Sequence, residues 1–155
     1  MTIGPYPRGF VWPEWTVWGC HDQRVRDHLF VYGTLKPGHL RWWLLEEVAV
    51  EQTELTVPGT LYDTGQGWPA AVFGAGPGVP GWLVTVEVPS PLELGQLLRR
   101  LDAMEGIGED PDPVADPYER RRIEVAGGVE AWAYDATGVP PGWTAIDRWE
   151  PQAER

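Results

Sequence analysis

One helix stands out from the pattern of apolar and polar positions along the chain. Leucine and methionine side chains recur at spacings of three and four between Leu94 and Met104, which predicts a helix over 91–105 with one apolar face. Ser90 and Glu93 form a Ser-x-x-Glu capping box at its start. A glycine follows its last residue, as is common where helices end. The segment is therefore predicted to be a core-packing helix with defined ends.

Short β-rich runs on both sides of this helix predict strands. They lie at 28–32, 55–62, 70–73 and 81–88 before it, and at 118–125 and 129–134 after it. A second helix is predicted over 38–48 from apolar residues at helical spacing, and two glycines between the last two strands predict a tight hairpin. Strands in mixed order with only two helices favour an α+β fold with a small barrel-like sheet over a doubly wound fold.

The first 27 residues are predicted to extend a domain that occupies 28–155 and includes a C-terminal tail. Trp12, Trp15 and Trp18 lie there among prolines and charges without a regular period. Because three exposed indoles would be costly, we expect this arm to pack against the domain or against a second subunit of a homo-oligomer. The alternative is that these rings bind a cofactor or a carbohydrate.

Composition and charge narrow the classes of function. A chain of 155 residues, 43% of them apolar, fits one domain with its own core. Its net charge of −11 should repel phosphate backbones, so we expect no nucleic-acid partner. No apolar stretch approaches the roughly 18 residues of a membrane span, and no signal peptide is evident, so we expect a cytoplasmic protein without membrane partners. The single cysteine, Cys20, excludes an intrachain disulfide and a cysteine-based metal site.

The segment from Val31 to Gly38 is the first candidate for binding chemistry. A buried strand stops at Gly33, and the chain turns before the second predicted helix. This arrangement would leave backbone N–H groups near a helix N-terminus free to bind a carboxylate or an oxyanion. Such strand–turn–helix junctions are also common without a function, so this segment alone does not establish a binding site.

Glu105 is the candidate acid/base. Around the helix it falls between Leu94 and Leu98, inside the apolar face, where an ionised carboxylate is costly. It also stands at the C-terminal end of the helix, where the dipole disfavours negative charge. A residue that breaks two local rules is a candidate for function. In the alternative, the last turn frays and the side chain reaches water.

Tyr118 and Arg120 complete the set of candidates. Two residues apart in a strand, they share one face. If this face lines the same cavity as Glu105, the phenol can hydrogen-bond a substrate and the guanidinium can hold a carboxylate. The alternative is an ordinary tyrosine and a cross-strand ion pair.

The order of these motifs resembles the γ-glutamylcyclotransferase/AIG2-like superfamily over roughly residues 28–135. The motifs are Tyr32-Gly33-Thr34-Leu35, Gly59-x-Leu61-Tyr62-Asp63, Leu101-Asp102-x-x-Glu105-Gly106 and Tyr118-x-Arg120. Two features depart from the family pattern, the extension 1–27 and the long acidic loop 107–117.

The resemblance implies a small mixed β-barrel with flanking helices that carries out an intramolecular cyclisation. The α-amine of a small γ-glutamyl substrate would attack the γ-carbonyl, releasing 5-oxoproline and an amine without a metal or a cofactor. Glu105 would be the catalytic acid/base, and the substrate-binding residues would be Tyr32, Gly33, Thr34, Leu35, Tyr118 and Arg120.

Two alternatives stay open beside this hypothesis. The leaving group could be a protected amine of secondary metabolism or a γ-glutamylamine, or the chain could be a non-catalytic AIG2-like module that binds a small molecule or a protein. The acidic loop 107–117 either favours cationic leaving groups at the pocket mouth or is a solvated spacer.

Overall fold

The computed structural model describes residues 24–39, 41–107, 118–136 and 138–149. Most of the tryptophan-rich arm and of the acidic loop fall outside these ranges, so the hypotheses about them stay predictions. The described strands are β1 (Val25–Val31), β2 (Ala49–Val57), β3 (Gly59–Asp63), β4 (Pro69–Phe73), β5 (Val79–Val88), β6 (Tyr118–Glu124), β7 (Glu130–Ala136) and β8 (Thr144–Ile146). The described helices are α1 (Trp43–Glu46) and α2 (Pro91–Met104).

Within the described residues the strands form two sheets rather than one closed barrel. The larger sheet has the order β2-β5-β1-β7-β6, and the smaller has the order β4-β3-β8. The pairing of β1 with β7 is parallel, with Leu29 opposite Trp132, whereas the other ladders are antiparallel. The predicted α+β class is therefore confirmed.

Two apolar clusters hold these layers together. Leu29 of β1 belongs to the cluster that includes Leu97 and Leu101 of α2, whereas its neighbour Phe30 belongs to the cluster with Leu61 of the smaller sheet. Successive residues of a strand face opposite sides, so β1 contributes to both clusters. Burial of each such side chain contributes roughly 1.5–3 kcal/mol.

No helix in the described part of the chain is long and apolar enough to cross a membrane.

The helix predicted over 91–105 is confirmed, with both ends closed. At its start the Ser90 hydroxyl accepts a hydrogen bond from the N–H of Glu93 at 3.4 Å. At its end Gly106 has φ 86°, its N–H donates to the Ala103 carbonyl, and the Ile107 N–H donates to the Asp102 carbonyl. This is a Schellman motif, which closes the last turn beside Glu105 instead of letting it fray.

Several predicted boundaries were wrong, and glycines account for two of them. The strand predicted over 55–62 is two strands, because Gly59 has φ 149° and the chain passes there from one sheet to the other. A side chain at this position would lie 2.6 Å from the Val72 carbonyl oxygen. The helix predicted over 38–48 shrinks to α1, since Gly38 has the left-handed φ of 80° and Ala49 already belongs to β2.

The first strand and the elements after α2 also differ in detail from the prediction. The first strand starts at Val25 instead of 28, because Val25 to Asp27 already pair with β5. The predicted hairpin of β6 and β7 is confirmed, and Gly127 and Gly128 in its connection have left-handed φ values of 75° and 79°. The tail beyond the hairpin, for which no element was predicted, contributes β8.

Candidate active site

A cavity of about 360 Å³ opens where β1 ends, beside the C-terminal end of α2. It brings together residues that are far apart in the sequence. All predicted site residues except Arg120 line it, namely Tyr32, Gly33, Thr34, Leu35, Glu105 and Tyr118. The structure therefore places the candidate acid/base and the candidate binding loop in one concave site.

The loop after β1 offers unused backbone donors. The carbonyls of Gly33 and Thr34 accept hydrogen bonds from the N–H groups of Lys36 and Arg41, at 3.1 and 2.7 Å. By contrast, the N–H groups of Gly33, Thr34 and Leu35 donate to no other described residue. Consecutive free N–H groups at a cavity wall suit a carboxylate or an oxyanion. The predicted helix N-terminus is not behind them, because α1 starts only at Trp43.

Gly33 also packs closely against Pro69. A Cβ atom at this position would lie 3.0 Å from Cγ of Pro69, which is tighter than an ordinary contact. The carbonyl oxygen of Pro69 in turn accepts a hydrogen bond from the hydroxyl of Tyr118 at 3.0 Å. Gly33 thus lets the binding loop approach the residue that fixes the Tyr118 hydroxyl.

Glu105 is the C-cap residue of α2, and its side chain is only 16% exposed. One of its carboxylate oxygens lies 3.8 Å from Nη1 of Arg41. Burial raises the pKa of Glu105 from 4.5 to about 7, with Arg41 opposing the shift and the negative charge of Asp102 adding to it. The carboxyl group can therefore accept and return a proton near neutral pH.

Three buried tyrosines line the cavity around this group. Their hydroxyls donate to protein acceptors: Tyr32 to the Tyr134 carbonyl at 2.5 Å, Tyr118 to the Pro69 carbonyl, and Tyr134 to Asp102 at 2.7 Å. Burial is the main cause that raises all three phenol pKa values above 10, so the rings stay neutral. A phenol that donates its proton still has lone pairs that accept a hydrogen bond.

The structure corrects the position of Arg120. It shares a face with Tyr118 as predicted, but it does not line the cavity. Its Nε and Nη2 atoms lie 2.7 and 3.2 Å from the Asp102 carboxylate, and the guanidinium stacks 4.5 Å from the centre of the Trp132 ring. An arginine held by a carboxylate and an aromatic face is already occupied. Arg120 therefore holds the Asp102 carboxylate in place and is not positioned to bind a substrate carboxylate.

Comparison with known proteins decides the family. A family model described as gamma-glutamyl cyclotransferase, AIG2-like, matches residues 29–151. The chain belongs to this family. No curated protein sequence matches it significantly.

Three solved structures are similar to this cyclotransferase-family chain at low identity, two of them with TM-scores above 0.5. Protein PH0828 from Pyrococcus horikoshii is 21% identical with a TM-score of 0.51, and the match covers 77% of this chain and 85% of that one. Allophanate hydrolase from Kluyveromyces lactis is 16% identical with a TM-score of 0.52, over 79% of this chain but 19% of that one. An AIG2-like protein from Mus musculus is 22% identical with a TM-score of 0.48, over 84% and 99% of the two chains.

Sequence reasoning about this family member missed several cavity residues, and Tyr134 and Arg41 are the two whose side chains hydrogen-bond within the site. Tyr134 could have been found, because it lies opposite Arg120 in the predicted hairpin. Arg41 carries no comparable signal. Its contact with the Met104 carbonyl, at 2.9 Å, spans 63 residues of sequence. Within the described residues, no cluster of three or more histidine, cysteine or carboxylate side chains could hold a metal ion.

Proposed function

We propose that the chain is a cofactor-independent γ-glutamylcyclotransferase. It converts a γ-glutamyl amine or peptide into 5-oxoproline and a free amine. The observation that carries this proposal is Glu105, a nearly buried carboxyl group with a pKa of about 7, in the same cavity as the free N–H groups of the loop at 33–35. Membership in the gamma-glutamyl cyclotransferase, AIG2-like family supports the same reaction class.

The proton affinity of Glu105 suits the first step. The substrate's α-ammonium group must lose a proton before its nitrogen can attack the γ-carbonyl. An α-ammonium holds its proton far more tightly than a carboxyl group of ordinary pKa does, so the transfer to such a carboxylate is strongly uphill. Raising the pKa of Glu105 from 4.5 to about 7 narrows this gap by about 2.5 units. The transfer is therefore much less unfavourable.

Ring closure then follows inside one molecule. The amine nitrogen forms a bond to the γ-carbon, and the carbonyl oxygen becomes an oxyanion that the N–H groups of Gly33, Thr34 and Leu35 stabilise. When the tetrahedral intermediate collapses, Glu105 returns its proton to the departing amine as the bond to the leaving nitrogen breaks. The regenerated carboxylate then accepts the second proton of the ring nitrogen, which leaves a neutral lactam, and passes this proton to the released amine. Because attacking and attacked groups belong to one chain, holding it folded supplies much of the acceleration.

The cavity has the polarity and size for a γ-glutamyl group. The phenol oxygens of Tyr32, Tyr118 and Tyr134 can accept hydrogen bonds from an ammonium group, whereas the loop amides suit negative charge. A volume of about 360 Å³ lies near the lower end of small-molecule sites, which begin at roughly 300 Å³. A glutamyl group fits inside, with the leaving amine towards the half-exposed Trp68 and Met104.

The test is product formation from γ-glutamyl dipeptides and γ-glutamyl-lysine, with 5-oxoproline detected by mass spectrometry. The wild type is expected to release it, and Glu105→Gln is expected to fold but lose at least about 100-fold in kcat, since the amide cannot accept a proton. Glu47→Gln is the matched control, because Glu47 caps α1 but is exposed to solvent, and it should keep wild-type activity. A Glu105→Gln variant as active as the wild type would refute the mechanism. Binding of these compounds without turnover would instead identify a non-catalytic module.

A further inference from the structure

Arg41 is the feature of the cavity that the mechanism leaves unused. Among the described residues that line the cavity, Arg41 and Glu105 are the charged pair. The side chain of Arg41 is one-third exposed, so a ligand that enters the cavity can reach it. Its positive charge beside Glu105 is suited to binding a negatively charged group of a ligand.

The guanidinium of Arg41 is held in place but only partly used. Nη1 donates to the Met104 carbonyl at 2.9 Å, at the C-terminal end of α2, where the helix dipole favours a positive charge. The same atom lies 3.8 Å from Glu105, which is an ion pair but too long for a hydrogen bond. No described residue accepts a hydrogen bond from its Nε or Nη2. Arg41 therefore keeps a planar pair of donors for a ligand.

We propose that Arg41 binds the α-carboxylate of the γ-glutamyl group, an inference that rests on the proposed cyclotransferase function. The α-carboxylate and the α-ammonium of the substrate are attached to the same carbon atom. Nη1 of Arg41 lies 3.8 Å from a carboxylate oxygen of Glu105. A substrate carboxylate held by Arg41 therefore brings the attached ammonium group close to Glu105. The role that the sequence suggested for Arg120 falls to Arg41, because Arg120 is occupied by Asp102.

The proposal makes Arg41 a determinant of specificity, which distinguishes it from a purely structural residue. A charge-assisted hydrogen bond to a bound carboxylate corresponds to roughly a 10-fold to 100-fold preference for the ligand that carries it. A structural residue that only holds the Met104 carbonyl would affect all substrates equally. Loss of a preference for the carboxylate is therefore the diagnostic result.

The experiment compares two substrates that carry the same leaving amine. This amine is the one whose γ-glutamyl derivative the wild type turns over fastest. One carries a γ-glutamyl group, and the other a 4-aminobutanoyl group, which lacks only the α-carboxylate and closes the same five-membered ring to give pyrrolidin-2-one. The wild type is expected to prefer the γ-glutamyl substrate in kcat/KM by 10-fold or more, on the order of one charge-assisted hydrogen bond. In Arg41→Gln this ratio should approach one, mainly through KM. Arg41→Lys, which keeps the charge but not the fork, should recover part of it.

A binding measurement separates failure of this proposal from failure of the proposed function. Calorimetry is expected to show that the wild type binds 5-oxoproline more tightly than pyrrolidin-2-one, and that Arg41→Gln loses the difference. If the wild type turns over neither substrate but shows this binding pattern, the cyclotransferase function is rejected and Arg41 stands as a carboxylate ligand. A kcat/KM ratio or a binding difference that survives in Arg41→Gln overturns the role of Arg41. Circular dichroism of both variants checks that they fold.

Discussion

The raised pKa of Glu105 makes the stability of this protein depend on pH in a defined direction. The pKa is about 7 in the folded chain against an ordinary value of 4.5, so the folded state binds the proton more tightly than the unfolded state. The resulting stability is fully present below pH 4.5 and is lost as the pH rises through about 7. This pKa difference corresponds to about 3 kcal/mol over the whole range.

Replacing Glu105 by glutamine removes this dependence, because the amide resembles the protonated carboxyl group at every pH. Between pH 5.5 and pH 8.5 the wild type should lose about 2 kcal/mol of unfolding free energy relative to Glu105→Gln, as integration of the linkage relation over this range gives. Urea unfolding followed by tryptophan fluorescence at the two pH values measures this difference directly. Contributions from other titrating groups cancel, since both proteins carry them.

The matched control is Glu47→Gln. Glu47 also occupies the C-cap position of a helix, but it is exposed, so it pays no burial penalty. Its difference from the wild type should stay constant over the same range. A constant difference for Glu105→Gln as well, or an advantage of that variant that shrinks as the pH rises, would refute the assignment of Glu105 as a buried carboxyl group with a raised pKa.

Two further substitutions test the surroundings of the site. Asp102→Asn removes a charged acceptor from three hydrogen-bond donors, Nε and Nη2 of Arg120 and the hydroxyl of Tyr134, so it should cost about 1.5–3 kcal/mol of unfolding free energy. It should also lower the pKa of Glu105, because the charge of Asp102 raises that value. The second effect is measured as a shift of the acid limb of kcat/KM to lower pH, and an unmoved limb would contradict it. Gly33→Ala should lower Tm and kcat/KM, because its Cβ would meet Pro69 at 3.0 Å. The control is Gly95→Ala in α2, where the nearest atom to the new Cβ is 3.7 Å away. It should raise the unfolding free energy by about 0.5–1 kcal/mol. Equal changes in Tm for the two glycine variants would show that close packing at Gly33 is unimportant.

Elements specified by neighbouring residues could be predicted from the sequence. Helix α2 is one, because its capping box, apolar spacing and terminal glycine act within a few residues of each other. The hairpin of β6 and β7 is another, and it places Tyr118 beside the cavity as expected. The ordered motifs also indicated the family that the family model matches over residues 29–151. Glu105 could be singled out because it breaks local rules of the helix that carries it.

The partners of the site residues were decided only by the tertiary structure. Tyr32 donates to the carbonyl of Tyr134, 102 residues away, and Arg41 meets the end of α2 across 63 residues. Arg120 contacts Asp102 instead of lining the cavity. Strand alternation places Arg120 on the same face as Tyr118 but does not tell which of these two partners it meets. Periodicity tells which face of an element a side chain lies on, but not what lies opposite that face. That depends on how β1, α2 and β7 pack together, so the charged pair of Arg41 and Glu105 exists only in the folded chain.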